Sequence, residues 1–315
     1  MRDIAIFSGG AHPELAAAVC RVLGVEASPV HIERYSNDCI GVQLKANCRE
    51  NDVFLIQPLA PPVQEHLMEL LLMLDAARGA SAARITAVIP YFSYARSDKK
   101  DAPRISIAGR LVADLLAAAG ASRVLTMTLH SPQVHGFFSI PVDHLNALDV
   151  LANHFRDRNL DNTVVLSPDL GNAKSASQFA RLLDLPVAAG RKQRLSDDRV
   201  VIDAIVGDVS GHDIIVLDDE IANGGTILET LAALRRRGVG RVSVVCTHGL
   251  FTKRAVERLL AQPEVDEIVT TDTVPLAGEK RSSHVHTISI APLLAETIQR
   301  IHNGESVSSL FVGHV

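Results

Sequence analysis

Short, nearly continuous apolar runs alternate along the chain with longer segments in which apolar residues recur every three or four positions. Because the runs lack the apolar–polar alternation of a half-exposed sheet, they predict strands that are covered on both faces. The longer segments predict amphipathic helices. The predicted strands are residues 4–7, 53–57, 85–90, 124–129, 163–167, 214–217, 242–247 and 267–271, and the predicted helices are residues 13–23, 63–78, 106–119, 173–183, 227–237, 253–261 and 292–302.

Strands and helices alternate over the whole length, and the order repeats twice. Such alternation is typical of α/β proteins, in which right-handed crossovers connect the strands of parallel sheets. A mixed helical and polar stretch, VDHLNALDVLANHFRDRNLDN (142–162), separates the two halves. The pattern therefore predicts two similar α/β domains in tandem, with a boundary near residues 145–160.

Composition and charge narrow the functional classes. The chain has 315 residues, enough for two domains, and 47% of them are hydrophobic, enough for sizeable cores. A net charge of −5 and only 4% aromatic residues, without Trp, argue against binding to nucleic acid or to an anionic membrane. No apolar stretch reaches the ~18 residues of a membrane span. Four scattered cysteines favour a reduced compartment, so a soluble cytoplasmic protein is expected.

The stretch VLDDEIANGGT (216–226) places three carboxylates directly after a predicted strand, and a glycine turn directly before a predicted helix. Backbone N–H groups at such a turn converge on a phosphate, assisted by the helix N-terminus. Carboxylates cannot bind that phosphate, but they suit sugar hydroxyls or Mg²⁺. The combination predicts a sugar-phosphate site at the carboxyl edge of a sheet. The alternative is an acidic strand end with a glycine turn that binds nothing.

A second loop, YARSDKK (94–100), follows the strand predicted at 85–90 and gathers three cations around one Asp. That charge pattern suits a polyphosphate, and the alternative is a solvated charged loop. A third loop, SPDLGNAK (167–174), repeats the order strand, acid, glycine and helix that 216–226 shows. Two anion-binding loops are therefore predicted for one domain.

Three further features have a structural explanation as well as a functional one. His130 ends the strand predicted at 124–129, where a histidine is more often a hydrogen-bonding residue than a catalyst. The basic run RKQR (191–194) predicts a mobile arm or an exposed β-hairpin tip. The pairs His130/His135 and His284/His286 lack a third ligand nearby, so neither is predicted to bind a metal.

Taken together, these stretches resemble the ribose-phosphate pyrophosphokinase (PRPP synthetase) family. The resemblance is collinear from IFSGG (6–10) to AETIQRIHNGESVSSLF (295–311), and PVQEHLMELLLMLDAA, YARSDKK, GFFSIPVDHL and SPDLG carry it in combination. It implies an α/β fold of two tandem type I phosphoribosyltransferase-like domains, each a mainly parallel sheet flanked by helices. Residues 1–146 would hold the ATP loop. Residues 147–315 would hold the ribose 5-phosphate and pyrophosphate loops, with the last helix packing back on the N-terminal domain.

The resemblance also implies an activity, the Mg²⁺-dependent transfer of the β,γ-diphosphoryl group of ATP to the C1 hydroxyl of ribose 5-phosphate. The products are PRPP, used in nucleotide biosynthesis, and AMP, and a homo-oligomer, dimer or hexamer, is expected. The residues that it implies are Lys192, Arg194 and His130 for catalysis; Tyr35, Asn37, Arg96, Ser97, Asp98, Lys99 and Lys100 for ATP; Asp218, Asp219, Ala222, Asn223, Gly224, Gly225 and Thr226 for ribose 5-phosphate; Asp169, Gly171 and Asn172 for the pyrophosphate loop; and His130 and Asp169 for the metal.

Several positions depart from the family pattern. Residues 35–39 read Tyr-Ser-Asn-Asp-Cys where the family has Phe-Ser-Asp/Asn-Gly-Glu. In the ribose 5-phosphate loop, Ala222-Asn223 replaces the family's Asp-Thr, so an acid is missing and an amide takes the place of a hydroxyl. Asn172 stands where a second glycine is usual, and DAPRISIAGR (101–110) differs from the common form that bears on phosphate and ADP regulation. Two alternatives follow: a non-catalytic regulatory paralogue, and a diphosphokinase for a related sugar phosphate.

Overall fold

The computed structural model describes residues 3–196 and 199–310. They form two compact units, the first from residues 3–146, 273–275 and 289–310, and the second from residues 147–272 and 276–288. In both units, parallel strands are flanked by helices. The predicted α/β fold class is therefore confirmed.

The first unit contains a five-stranded sheet in which every neighbouring pair of strands is parallel. In sheet order its strands are β1 (Ile4–Ser8), β4 (Asp52–Ile56), β5 (Arg84–Ile89), β6 (Arg123–Met127) and β7 (Val142–Leu145). A separate antiparallel hairpin joins β2 (Val30–Arg34) and β3 (Ile40–Leu44). The helices are α1 (Pro13–Leu23), α2 (Val63–Gly79), α3 (Ala108–Ala119) and α8 (Ala291–Asn303), with 3₁₀ turns at Ser93–Arg96 and Pro132–Phe137.

The second unit contains a seven-stranded sheet that is parallel except at one edge. In sheet order its strands are β10 (Arg199–Val206), β9 (Val187–Ser196), β8 (Thr163–Ser167), β11 (Asp213–Ile221), β12 (Val242–Gly249), β13 (Val265–Thr271) and β14 (Val285–Ile288). Its helices are α4 (Leu148–Asn153), α5 (Ala173–Leu182), α6 (Gly225–Arg235) and α7 (Ala255–Leu260). The core lies between this sheet and its helices, with Val216, Leu231 and Val244 all buried.

Local sequence signals explain the helix ends. Pro13 stands in the first turn of α1, and the ring of His12 accepts a hydrogen bond from the Leu15 N–H. Gly24 ends α1 with a φ of 69° and donates to carbonyls of the last turn, a conformation that favours glycine. The central strands β4 and β5 are buried on both faces, which accounts for their unbroken apolar runs.

The structure corrects several boundaries. Strand β11 continues to Ile221, so residues 218–220 lie within the strand and not beyond its tip. Strand β6 ends at Met127, so His130 follows the strand by three residues. The run 191–194, predicted as a mobile arm or a hairpin tip, has its backbone inside β9, paired with β10. Its charged residues hide the strand pattern from a hydropathy argument.

Short or polar elements escape the hydropathy pattern in the same way. The strands β2, β3, β7 and β14 and the helix α4 were not predicted, and none of them shows a long apolar run. Edge strands and hairpins bury one face at most, so their sequences carry a weaker signal than central strands do. Among the residues that the structure describes, no helix is long and apolar enough to cross a membrane.

A buried ion pair holds the C-terminal helix on the first unit. The Asp52 side chain is fully buried, and its carboxylate pairs with Arg84, its neighbour in register on β5. The same carboxylate oxygen lies 3.0 Å from Nδ1 of His302 at the end of α8. Arg84 also donates to the carbonyl oxygens of Ile301 and His302, at 3.3 and 2.9 Å. Arg84 thereby links β4 and β5 to the C-terminus of α8, and α8 packs against α1.

Replacement of Arg84 by alanine should lower the free energy of unfolding by about 3–5 kcal/mol, because it leaves the buried Asp52 carboxylate without its cation. Urea denaturation followed by circular dichroism measures the change. The matched control is Arg110→Ala, which breaks an exposed ion pair with Asp114 on α3 and should cost at most about 1 kcal/mol. Equal losses in the two variants would contradict the anchoring role of Arg84.

Candidate active site

Two loops of the second unit meet at the carboxyl ends of β8 and β11. These strands pair in parallel, with Leu166 opposite Val216, so the residues that follow them leave the sheet at the same edge. The side-chain amide of Asn172 donates to the carbonyl oxygen of Leu217 at 3.2 Å and links the loop after β8 to β11. The predicted pyrophosphate loop and the predicted sugar-phosphate segment are thus neighbours within one unit.

Asp169 is held by its own loop. Its backbone carbonyl accepts a hydrogen bond from the Ser167 hydroxyl at 2.6 Å, and its carboxylate accepts one from the Asn172 N–H at 3.1 Å. A Cβ at Gly171 would lie 3.1 Å from that carboxylate, so a side chain there would crowd it. Gly171 and Asn172, both predicted from the motif, therefore position the acid.

The pKa of Asp218 departs strongly from its ordinary value. Burial raises the pKa of its carboxyl well above the ordinary value, and the negative charges of Asp219 and Asp169 raise it further. Cys246, its register partner on β12, brings no charge, because burial raises the pKa of that thiol to about 12. The three acids form a negatively charged cluster that would gain from a bound cation or from hydroxyl donors.

The glycine turn after β11 has the geometry of an anion cradle. Gly224 immediately precedes α6 with a φ of 74°, a left-handed conformation that favours glycine, and a Cβ there would make only ordinary contact with Ala255. The N–H groups of Thr226 and Ile227 belong to the first turn of α6, where no intrahelical carbonyl can reach them. An anion at this turn would meet free donors and the positive end of the helix dipole.

Contacts from the segment that follows β12 brace this turn. Thr252 donates to the carbonyl of Ala222 through its backbone N–H at 2.7 Å and its hydroxyl at 3.2 Å. Arg258 donates to the carbonyl of Asn223 at 3.1 Å. The side-chain oxygen of Asn223 in turn accepts the N–H of Gly225 at 2.9 Å, an Asx turn that occupies one donor of the cradle.

The predicted polyphosphate loop of the first unit begins in a 3₁₀ turn at Ser93–Arg96 and continues as an irregular segment to α3. A cavity of about 220 Å³ opens here, lined by Ser93, Tyr94, Arg96, Ser97, Lys99, Asp101 and Ile105. The Ser93 hydroxyl is buried, and within the described part of the chain it has no hydrogen-bond partner. A buried, unpartnered hydroxyl in the wall of a cationic cavity fits a polar ligand.

Ser97 has a structural role in that loop. Its hydroxyl donates to the carbonyl of Ser106 at 3.3 Å and accepts from the N–H of Ala108 at 3.1 Å. Its carbonyl accepts from Gly109 at 3.0 Å, where a Cβ would lie 3.2 Å from that same oxygen. Ser97 therefore closes the loop onto α3, while Arg96, Lys99 and Lys100 are exposed and Asp98 is half-buried.

Other predicted residues lie elsewhere in the two units. Tyr35 and Asn37 occupy the exposed turn between β2 and β3, where Asn37 accepts the Cys39 N–H at 3.2 Å. His130 is exposed in the loop after β6. The side chains of Lys192 and Arg194 lie outside the described part of the chain, and only their backbone, in β9, is described.

Sequence reasoning missed residues that are distant in the chain and close in space. The bracing residues Thr252 and Arg258 follow β11 by about thirty positions, and no local motif marks them. The pair His284/His286 was expected to lack a third ligand; in the structure His286, without His284, lies beside His154 and Glu267. The pairing of β13 with β14 brings Glu267 and His286 together, and the packing of α4 on the sheet adds His154.

The chain is similar to known proteins over its whole length. Residues 4–120 match the model of the N-terminal domain of ribose phosphate pyrophosphokinase, and residues 195–312 match that of the phosphoribosyl synthetase-associated domain. A Streptomyces coelicolor protein, named provisionally as a ribose-phosphate pyrophosphokinase, is 65% identical, with 99% of this chain and 98% of that protein covered. The ribose-phosphate pyrophosphokinase of Deinococcus radiodurans is 50% identical, with 97% of each chain covered.

A solved structure agrees with these relatives. The crystal structure of phosphoribosylpyrophosphate synthetase from Mycobacterium smegmatis superposes with a TM-score of 0.90 at 38% identity, covering 96% of this chain and 100% of that one. Identity of this level over nearly full length, together with the two matching family models, identifies the family. The chain belongs to the ribose-phosphate pyrophosphokinase family.

Proposed function

We propose that the protein is a Mg²⁺-dependent ribose-phosphate diphosphokinase that transfers the β,γ-diphosphoryl group of ATP to the C1 hydroxyl of ribose 5-phosphate. The main support is structural: an acidic cluster and a glycine turn at a helix N-terminus lie side by side at one sheet edge of the second unit. The glycine turn suits the 5-phosphate, and Asp218 and Asp219 suit the ribose hydroxyls. A sugar phosphate is the ligand class that uses both features at once.

The chemistry needs alignment and charge neutralisation more than a covalent participant. The C1 hydroxyl attacks the β-phosphorus of ATP, the bond to the α-phosphate oxygen breaks, and AMP leaves. In this proposal the cavity beside Ser93 takes ATP, with Arg96, Lys99 and Lys100 facing the phosphates. Lys192 and Arg194 stabilise charge on the transferred group, a role that rests on the family resemblance.

The acidic cluster fits a divalent cation. Burial raises the pKa of Asp218, and repulsion from Asp219 and Asp169 raises it further, so a hard cation with oxygen ligands would relieve an existing cost. Asp169 is the predicted ligand in this cluster, and His130 is a ligand that the family resemblance alone implies. Mg²⁺, when bound, would supply neutralisation of the phosphate oxygens during transfer. Homo-oligomerisation is part of the same proposal, and the exposed 35–39 turn would complete a neighbouring subunit's ATP site.

One observation favours the alternative of a non-catalytic regulatory paralogue. In the family pattern a Thr stands at the position of Asn223, and here the Asn223 side chain occupies the Gly225 N–H of the cradle. A phosphate must displace that side chain before it reaches the donor. The same replacement of Thr by Asn223 also supports the other alternative, a diphosphokinase for a related sugar phosphate.

Purified protein with ATP, Mg²⁺ and ribose 5-phosphate should form AMP and PRPP in equal amounts, measured by anion-exchange chromatography. Lys192→Ala should lower kcat at least tenfold and leave the Kd for ribose 5-phosphate nearly unchanged, because its role is in the transfer. Absence of AMP from a folded protein would overturn the proposal in favour of the regulatory paralogue. AMP formed only with another sugar phosphate would show instead that the protein is a diphosphokinase for that related sugar phosphate.

Asn223→Thr should lower the KM for ribose 5-phosphate about fivefold with little change in kcat. In the variant the Gly225 N–H can donate to the charged 5-phosphate, a hydrogen bond worth about 1.5–3 kcal/mol. The neutral hydrogen bond to the Asn223 side chain, worth about 1 kcal/mol, is lost. The control is Asn159→Thr, which breaks a similar contact, to the Asp161 N–H, on the same unit. An increased KM in Asn223→Thr alone would show that the amide itself contacts the substrate.

Asp218→Asn should weaken ribose 5-phosphate binding about 10- to 100-fold, because hydrogen bonds to a charged acceptor are lost. The same variant should be more stable than the wild type at neutral pH. The pKa of Asp218 is higher in the folded protein than in the unfolded chain, so the folded protein binds this proton more tightly. The stability that the proton provides is present below the unfolded-state pKa of about 3.9 and is lost as pH rises from there towards the folded-state pKa.

The stability advantage of Asp218→Asn should therefore grow from pH 4.5 to pH 7.5. Urea denaturation without Mg²⁺ or substrates measures it, and isothermal titration calorimetry measures the binding. A variant that loses stability relative to wild type as pH rises would contradict the assigned cost of the Asp218 charge.

A further inference from the structure

A second polar cluster lies near the amino ends of the strands of the second unit, at the opposite strand ends from the acidic cluster. Ser243, Glu267 and His286 stand on the adjacent parallel strands β12, β13 and β14. Ser243 is the register partner of Glu267, and His286 is the partner of Val269, so all three lie on one face of the sheet. His154, just after α4, and Arg158 complete what we call the Glu267 cluster.

Glu267 is the centre of the cluster, and its side chain is only 6% exposed. Its Oε1 accepts hydrogen bonds from the Ser243 hydroxyl at 2.8 Å and from Arg158 at 2.5 Å. Its Oε2 lies 3.0 Å from Nε2 of His154 and 3.5 Å from Nε2 of His286. Two imidazole nitrogens thus converge on one oxygen of a buried carboxylate.

The contacts of His154 conflict with one another. Its Nε2 lies within hydrogen-bond distance of both a guanidinium nitrogen of Arg158 and the Oε2 of Glu267. A single ring nitrogen either donates or accepts, whereas the guanidinium only donates and the carboxylate only accepts. Whichever tautomer forms, one of the two contacts is repulsive. An ion bonded to both Nε2 and Oε2 would make both atoms ligands and remove the conflict.

The spacing of the donor atoms suits such an ion. Bonds of about 2.0–2.1 Å to Zn²⁺ in tetrahedral geometry place ligand atoms about 3.3 Å apart. The two measured separations, 3.0 and 3.5 Å, fall on either side of that value. All three donor atoms, one each from His154, Glu267 and His286, lie within 4.8 Å of one another.

We propose that the Glu267 cluster binds a divalent transition-metal ion of the Zn²⁺ class, with His154, Glu267 and His286 as its three protein ligands. Two imidazoles and one carboxylate select such ions over Mg²⁺, which prefers oxygen ligands. Ser243 orients the carboxylate from behind through its hydrogen bond to Oε1. The site is independent of the proposed diphosphokinase activity.

Arg158 acts in this proposal as an internal cation that holds the carboxylate when no metal is bound. Its side chain is 40% exposed and also lines a cavity of about 310 Å³ beside Asn159 and Asp213. That space lets the guanidinium move away when a metal ion enters. Metal and arginine therefore compete for one carboxylate, and the bound metal would tie the end of α4 to β13 and β14.

Cobalt titration of the full-length, EDTA-treated protein tests the site, because tetrahedral Co²⁺ with nitrogen ligands absorbs visible light. One equivalent should give the absorption, and Zn²⁺ should displace it. His286→Ala should abolish the signal, and Ser243→Ala should weaken binding about 10- to 100-fold. Arg158→Gln should bind more tightly, at least tenfold, since the competing cation is gone. The control is His284→Ala, whose exposed ring contacts the backbone of Asp266 and should leave affinity unchanged.

Thermal unfolding gives a readout that is separate from the spectrum. Zn²⁺ should raise the Tm of the wild type and of His284→Ala but not that of His286→Ala. No Co²⁺ absorption in the wild type, or equal affinity in the wild type and His286→Ala, would overturn the proposal. Weaker binding in Arg158→Gln would also overturn it, because the guanidinium would then support the metal and not compete with it.

Discussion

The parallel hydrogen-bonded pairing of β8 with β11 is the constraint on which the candidate active site depends. Strands that run in parallel release their following loops at one edge, whatever the distance along the chain. Here Asp169 and Asp218, almost fifty residues apart, influence each other's charge. The bond from Asn172 to the Leu217 carbonyl then locks the two loops together. Without that alignment the motifs would be two separate acidic turns.

The sequence predicts the parts of this arrangement that follow from local patterns. Unbroken apolar runs reveal the central strands, and the glycine turn before α6 reveals the anion cradle. The hydropathy argument places the end of β11 too early, because it assigns residues 218–220 to a loop, whereas parallel partners keep them in the strand. Long-range contacts carry no local signature. The contact of Arg84 with α8 and that of His154 with Glu267 depend on how helices pack on the sheets.

The departures from the family pattern have physical consequences of different kinds. Asn172, where glycine is usual, gains a structural bond across the sheet edge, so the substitution strengthens the loop. Asn223 gains a bond as well, but with a donor that a phosphate would use. Ser97 matches the family loop and yet uses both hydrogen-bonding functions of its hydroxyl inside the protein. A matching residue type therefore does not by itself establish a ligand contact, and a mismatch does not by itself remove one.

Two carboxylates, the buried Asp52 and the half-buried Asp218, illustrate a structural role and a ligand-binding role. Asp52 is fully buried and shares its charge with Arg84 and His302, so the folded state already contains its counter-ion. In Asp218 the effect is opposite, because its nearest charged influences are two further carboxylates that raise its pKa. A folded chain keeps such repulsion only at a cost in stability. A bound cation or hydroxyl donors would lower that cost, so the same repulsion that destabilises the free protein favours ligand binding at Asp218.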